Sequence, residues 1–261
     1  MTLLQIRGLT RGFGGVRAVD GLDLDVAAGQ ILSVIGPNGA GKTTLFNLIT
    51  GMVPADDGEM ALDGHSIIGM RPSQILQVGI ARTFQNVRLF PEMTVLENVM
   101  VARHCRTRSG MLRAILRTPG FRREEAQSRS RAEHALGFFG TRLTGWRLDT
   151  QAGALSYANR RRLEVARAMA SDPRLLLLDE PTAGMNPRET QELTELIRKL
   201  RDETGIAIVI IEHDMRVVKG ISERVVVLDY GQKIADGTYR EVAGNERVIQ
   251  AYLGRRATRH G

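Results

Sequence analysis

The 261 residues are 43% hydrophobic, 25% charged and 5% aromatic, a balance that supplies a sizeable apolar core and excludes a disordered or low-complexity chain. No uninterrupted apolar run reaches the roughly 18 residues that a membrane-spanning helix needs. Residues 1–11 lack the basic, apolar and small-residue blocks of a secretory signal, so the expectation is a soluble protein that stays where it is made. The single cysteine, Cys105, excludes an internal disulfide framework, and the five scattered histidines form no zinc-like spacing, which fits a reducing cytoplasm.

The formal charge of +7 is regional. Residues 101–147 hold eleven Arg against three Glu, which leaves about −1 for the rest of the chain. Few aromatics interleave with this patch and it belongs to no recognisable nucleic-acid module, so no nucleic-acid partner is expected. It reads as an Arg-rich solvated helical face or as a surface close to anionic lipid head groups.

Residues 3–26 read as short alternating strands between Gly-rich turns. Leu22, Leu24 and Val26 share one face, Asp23 and Asp25 the other, as in an antiparallel β layer. Residues 31–35 form a continuous apolar run ending at Gly36, and a helix is expected over 43–50, the strand, loop, helix order of a parallel α/β core. The runs 175–178 and 206–211 have the same character, with a helix expected over about 187–203 between them, so these strands belong to one βαβ sheet.

Residues 91–151 differ in kind. They carry no buried-strand run and show helical spacing in Val95, Val99 and Ala102 and again in Ala132, Ala135, Leu136 and Phe139. The expectation is a helical subdomain inserted into a core made of residues 1–90 and 152–235. Runs 225–228 and 233–235 flank Asp229-Tyr230-Gly231-Gln232 as a hairpin, and residues 236–261 supply a final helix over 248–253 and a basic tail. There is no internal repeat.

Gly36-Pro37-Asn38-Gly39-Ala40-Gly41-Lys42-Thr43 matches the phosphate-binding loop GxxxxGK[ST]. Its glycines let backbone N–H groups curl around phosphate while the following helix points its positive end at it. Lys42 is expected on the β- and γ-phosphates of a nucleotide, Thr43 on Mg²⁺, and Thr44 in the same turn. Such a loop needs a carboxylate at the end of a neighbouring strand. Leu175-Leu176-Leu177-Leu178-Asp179-Glu180 supplies Asp179 for the metal and Glu180 as a general base for the attacking water.

With these motifs the chain resembles the ATP-binding cassette ATPases over nearly its whole length. The resemblance implies an α/β P-loop NTPase fold with a parallel-sheet core, an N-terminal antiparallel β layer and an inserted helical subdomain. Gln85, in Thr83-Phe84-Gln85-Asn86, matches the glutamine that reaches toward Mg²⁺ and the water, and His213 matches the histidine that contacts the γ-phosphate. Phe13 resembles the aromatic that stacks on adenine. Ala183-Gly184-Met185-Asn186 occupies the loop after the catalytic acid, with Asn186 replacing the commoner aspartate. The signature, usually Leu-Ser-Gly-Gly-Gln, is Leu155-Ser156-Tyr157-Ala158-Asn159 here. Ser156 would bind the γ-phosphate held by the opposite subunit. Ala158 and Asn159 are expected to face that nucleotide, the methyl group of Ala158 standing where glycine would permit close backbone approach.

The long Arg-rich insert with Arg117-Thr118-Pro119, Ile211-Glu212-His213-Asp214-Met215 and the ending Arg247-Val248-Ile249-Gln250-Ala251-Tyr252-Leu253-Gly254 resemble the ATP-binding subunit of bacterial branched-chain amino-acid importers. Relatives serving urea or amide uptake or lipopolysaccharide export are alternatives, and a soluble ATPase acting on ribosomes or nucleic acid is a further one. The resemblance implies a peripheral protein on the cytoplasmic face of the inner membrane. Its implied partners are a second cassette in a heterodimer, or a homodimer, together with membrane permease subunits and, indirectly, a periplasmic binding protein.

Overall fold

A computed structural model describes residues 1–106 and 118–257. The N-terminal region is built from longer strands than its glycines suggest: β1 (Thr2–Phe13) and β2 (Val16–Ala27) are twelve residues each. Gly14 and Gly15 both take positive φ, 52° and 87°, so the two strands close through a two-residue turn with Phe13 opposite Val16. β4 (Asp57–Leu62) and β5 (His65–Ser66), which the sequence reading did not find, extend this layer to an antiparallel sheet of order β2-β1-β4-β5.

The second sheet contains β3 (Ile31–Ile35), β6 (Ile80–Arg82), β7 (Leu175–Asp179), β8 (Ala207–Ile211), β9 (Arg224–Asp229) and β10 (Gln232–Gly237). Its order is β10-β9-β3-β8-β7-β6, parallel from β9 to β6, with β10 returning antiparallel through the positive-φ pair Tyr230 and Gly231. Alternate residues serve opposite faces. Leu175, Leu177, Val209 and Ile211 join the layer of Leu4, Leu24 and Phe46, whereas Leu176, Leu178, Ile208 and Ile210 join the helices. Both faces are covered, which is why these strands read as unbroken apolar runs.

The helices are α1 (Lys42–Ile49), α2 (Pro72–Val78), α3 (Val95–Arg103), α4 (Pro119–Gly137), α5 (Tyr157–Met169), α6 (Pro187–Thr204), α7 (Met215–Ile221), α8 (Tyr239–Ala243) and α9 (Glu246–Ala257). Val95, Val99, Ala132, Ala135, Leu136 and Phe139 all point inward and share one apolar cluster with Leu176 and Ile208 of the sheet. The α3 and α4 stripes are therefore continuous with the sheet's core. The helix starts follow local rules: Thr94 caps α3 with Glu97 returning the bond, and Asn186 does the same for α6 with Glu189.

The basic region is partly consumed by pairing. Arg103 is buried, donates to the carbonyl of Ala170 at 2.9 Å and pairs with Asp172, while Arg142 pairs with Glu192. Arg122, Arg123 and Arg131 are exposed. Arg108, Arg113 and Arg117, like the tail 258–261, lie outside the described residues. No helix among the described residues is long and apolar enough to cross a membrane.

Candidate functional site

The turn from β3 into α1 is shaped by two glycines. A Cβ on Gly36 (φ 149°) would lie 2.1 Å from the Leu228 carbonyl oxygen, and one on Gly41 (φ 100°) 2.1 Å from that of Ala18. Only glycine lets the loop thread between the end of β9 and β2. α1 begins without a side-chain cap, its first bond running from Leu45 N–H to the Gly41 carbonyl at 2.8 Å. Its leading amides thus form a positive helix end suited to an anion. Lys42 is buried and folds over the loop, donating to the carbonyls of Gly36 at 2.7 Å and Pro37 at 2.9 Å. Pro37 and Ala40 are buried, Thr44 is half-buried, and Asn38, Gly39 and Thr43 are exposed.

Phe13 closes the β1–β2 hairpin and is 46% exposed, with the Arg11 guanidinium 4.8 Å from its ring centre. The same hairpin abuts the phosphate loop where Ala18 meets Gly41, so the aromatic sits on the element that borders the loop.

Asp179 ends β7 almost wholly buried, and its carboxylate accepts from Arg82 at 2.7 Å. Arg82 donates also to Asn47 Oδ1 at 2.6 Å, tying β6, α1 and β7 together at one point. Glu180 leaves the strand at φ +48°, a conformation that side chains other than glycine rarely hold, fixed by its N–H bond to the Ile211 carbonyl at 2.9 Å. Both of its oxygens are engaged: Oε1 lies 2.7 Å from His213 Nε2, and Oε2 accepts from Gln85 Nε2 at 3.2 Å. Because β6, β7 and β8 are neighbours and parallel, the segments that leave them bring Gln85, Glu180 and His213 to one end of the sheet.

Glu212, which the sequence reading passed over, braces this cluster from below. It is 3% exposed and accepts from Thr182 N at 3.0 Å, Thr182 Oγ1 at 2.7 Å and His213 N at 3.1 Å. Burial pushes its carboxyl up from the ordinary value, against the pull of those donors. Arg82 was missed for the same reason: the partner of each is remote in sequence.

The signature segment corrects an expectation. Ser156 is exposed as the N-cap of α5, its Oγ accepting from Asn159 N at 3.4 Å. Ala158 and Asn159 turn inward instead of facing outward, at 3% and 7% exposure. Asn159 Oδ1 accepts from Arg162 at 2.9 Å, and Arg162 in turn pairs with Glu192. The reason is packing: Ala158 and Asn159 belong to the buried surface of α5 that continues through Arg161, Arg162, Leu163 and Glu164, so their side chains answer to the interior. The departure that reaches the surface is Tyr157, 41% exposed, whose ring lies against Gly184 and whose hydroxyl accepts from Arg161 Nε at 3.1 Å. Asn186, at the aspartate position, caps α6 by accepting from Glu189 N at 2.9 Å.

Thr43, Asp179 and Gln85, expected from the sequence to hold Mg²⁺, carry a hydroxyl, a carboxylate and an amide oxygen, and the Asp179 carboxylate is already paired with Arg82. Among the described residues no cluster of three His, Cys, Asp or Glu side chains forms a metal cage. This sparse oxygen set suits a hard cation that keeps water and phosphate oxygens as most of its ligands.

With this geometry in hand, residues 19–183 match the ABC transporter family, and residues 232–258 match the branched-chain amino acid ATP-binding cassette transporter family. The chain belongs to the ABC transporter family and is an ATP-binding cassette, the ATPase component of such transporters. It is 47% identical over 252 residues to the high-affinity branched-chain amino acid transport ATP-binding protein BraF of Pseudomonas aeruginosa, covering 97% of this chain and 98% of that one. To LivG of Escherichia coli K12, of the same description, it is 45% identical with the same coverage. Its fold matches the crystal structure of a nucleotide-free ATP-binding cassette from an ABC transporter with a TM-score of 0.82 at 30% identity, over 97% of this chain and 99% of that one. The crystal structure of the ADP conformation of MJ1267, an ATP-binding cassette of an ABC transporter, matches with a TM-score of 0.83 at 31% identity and the same coverage.

Proposed function

We propose that the chain is an ATP-hydrolysing motor subunit of an importer for branched-chain amino acids, seated at the cytoplasmic face of a bacterial inner membrane against separate permease subunits. The observation that carries the reading is the joined Gln85, Glu180 and His213 cluster beside an intact phosphate loop. The cargo rests on the descriptions of BraF and LivG and on the match of residues 232–258.

In this reading the amides of residues 36–44 and the Lys42 ammonium take the phosphates, and Phe13 stacks on the adenine. Glu180 accepts the proton of the attacking water, with Gln85 and His213 fixing its two oxygens so that it cannot swing away. His213 stands at the γ-phosphate end. Thr43, Asp179 and Gln85 would hold Mg²⁺, which when bound would supply charge neutralisation on the phosphates. The Arg82 pair keeps the Asp179 carboxylate in one orientation.

Exposed Ser156 is offered to the nucleotide of a second cassette, which we take to be a different subunit, with a homodimer as the alternative arrangement. Residues 91–151 act as the helical unit that transmits closure to the permeases, inserted into the core of residues 1–90 and 152–235. A periplasmic binding protein communicates with this chain only through those permeases.

The test is purification of the tagged chain from membranes, identification of the permeases and second cassette that accompany it, and reconstitution in vesicles. ATP-dependent uptake of leucine, isoleucine or valine is expected. Uptake of urea or an amide with none of these amino acids would reassign the cargo, and absence of any permease partner would overturn the transport reading.

A further inference from the structure

Gln85 sits on a loop with little regular structure of its own. Beyond Thr83, whose N–H bonds the Leu177 carbonyl at 2.9 Å, the segment leaves the sheet. Its backbone is held instead by two charged side chains of α5. Arg161, 3% exposed, donates to the carbonyl of Phe84 at 2.8 Å and to that of Gln85. Glu164, 1% exposed, accepts from the N–H groups of Phe84 at 3.3 Å and Arg88 at 3.4 Å, and lies 3.5 Å from Arg161.

Burying a guanidinium and a carboxylate is costly, and a helix that only needed to pack here would be served as well by apolar residues. The arrangement does something apolar packing cannot: it satisfies the loop's backbone groups in one position only. The contact from Gln85 to Glu180, at 3.2 Å, is near the outer limit of a hydrogen bond, so a shift of a fraction of an ångström in the loop would break it.

We propose that Arg161 and Glu164 are positioning residues that set Gln85 against Glu180 by clamping the backbone of the loop that carries it. The inference rests on the reading of Gln85 given above.

The test is a double-mutant cycle on ATP hydrolysis by the full chain, assayed with its partner cassette, using Arg161→Met, Glu164→Met and Gln85→Ala. Each methionine variant should lower kcat by about 10- to 100-fold while KM for ATP stays within about twofold. In the Gln85→Ala background the same changes should cost no more than about a further twofold, because their route to the chemistry is already gone. Losses that multiply in the double variants would overturn the inference while leaving the role of Gln85 standing. Parental kcat in Gln85→Ala alone would overturn both.

A readout independent of turnover is amide exchange. The Phe84 and Arg88 amides should exchange about tenfold faster or more in Glu164→Met, and parental exchange in that folded variant would refute the clamp. Arg161→Lys and Glu164→Gln, which keep a cation and an acceptor, should recover part of kcat. If the methionine variants do not fold, these two conservative variants carry the same cycle and exchange measurement under the same criteria.

Discussion

The ends of β7 and β8 and the start of α5 both carry residues that handle nucleotide in the proposed reading, and they are built in opposite ways. At the strand ends Asp179 and Glu212 are almost wholly buried, and Glu180 is gripped from both sides. Glu180 and His213 inherit their places from two paired strands, β7 and β8, whose residues are all buried. At the start of α5, Ser156 is exposed and held by one local cap bond, while its altered neighbours Ala158 and Asn159 serve the interior. A strand end can fix chemistry within one chain. An exposed helix start presents a group to something outside it, so its neighbours are free to answer to internal packing.

The sharpest break in this comparison is at the strand end. Glu180→Gln should slow ATP hydrolysis by about 10² to 10⁴ in single-turnover assays while retaining ATP binding, the usual span of a general base. A parental rate would remove Glu180 from that role. Next in size, Lys42→Ala should weaken ATP by about 100-fold in calorimetric titration, corresponding to roughly 3 kcal/mol for charge-assisted contacts. Unchanged affinity would mean that the loop does not hold phosphate through this side chain.

On the α5 side, Ala158→Gly should cost about 1 kcal/mol in denaturant unfolding, since a buried methyl is lost and glycine disfavours the helix. Turnover should not rise. An increase would place that methyl against the partner's nucleotide after all and restore the expectation from sequence.

The smallest effect concerns Glu212. Its folded-state carboxyl is raised above the ordinary 4.5 chiefly by burial, so the fold favours the neutral form. The stability this contributes is present below about 4.5 and is lost as pH rises through the raised value. Glu212→Gln should therefore flatten the fall of Tm with pH over that interval. A curve parallel to the parent's would assign the pH dependence elsewhere.

Contiguous patterns were enough for much of this molecule. The phosphate loop is one unbroken run, Gly36 to Thr43, and the Asp179-Glu180 pair closes an apolar strand, so both announce their place without help from distant residues. The α3 and α4 stripes and the hairpin at Tyr230-Gly231 were legible by period and turn chemistry. The three-residue β6 was not, because it is too short for a pattern to stand out, and its place at the sheet edge comes from pairing with β7. Gln85 and His213 could be assigned only by resemblance, since a lone glutamine or histidine carries no local signature. Arg82, Arg161, Glu164 and Glu212 stayed invisible, for each takes its meaning from a partner far along the chain, as Arg161 does from the carbonyls of Phe84 and Gln85. The direction of Ala158 belongs with them: residue type could mark the departure from glycine, but burial against the body of the protein decided which way its methyl points. Local patterns record what neighbours along the chain do to one another, whereas a buried charge is specified by the remote groups that desolvate it and complete its hydrogen bonds.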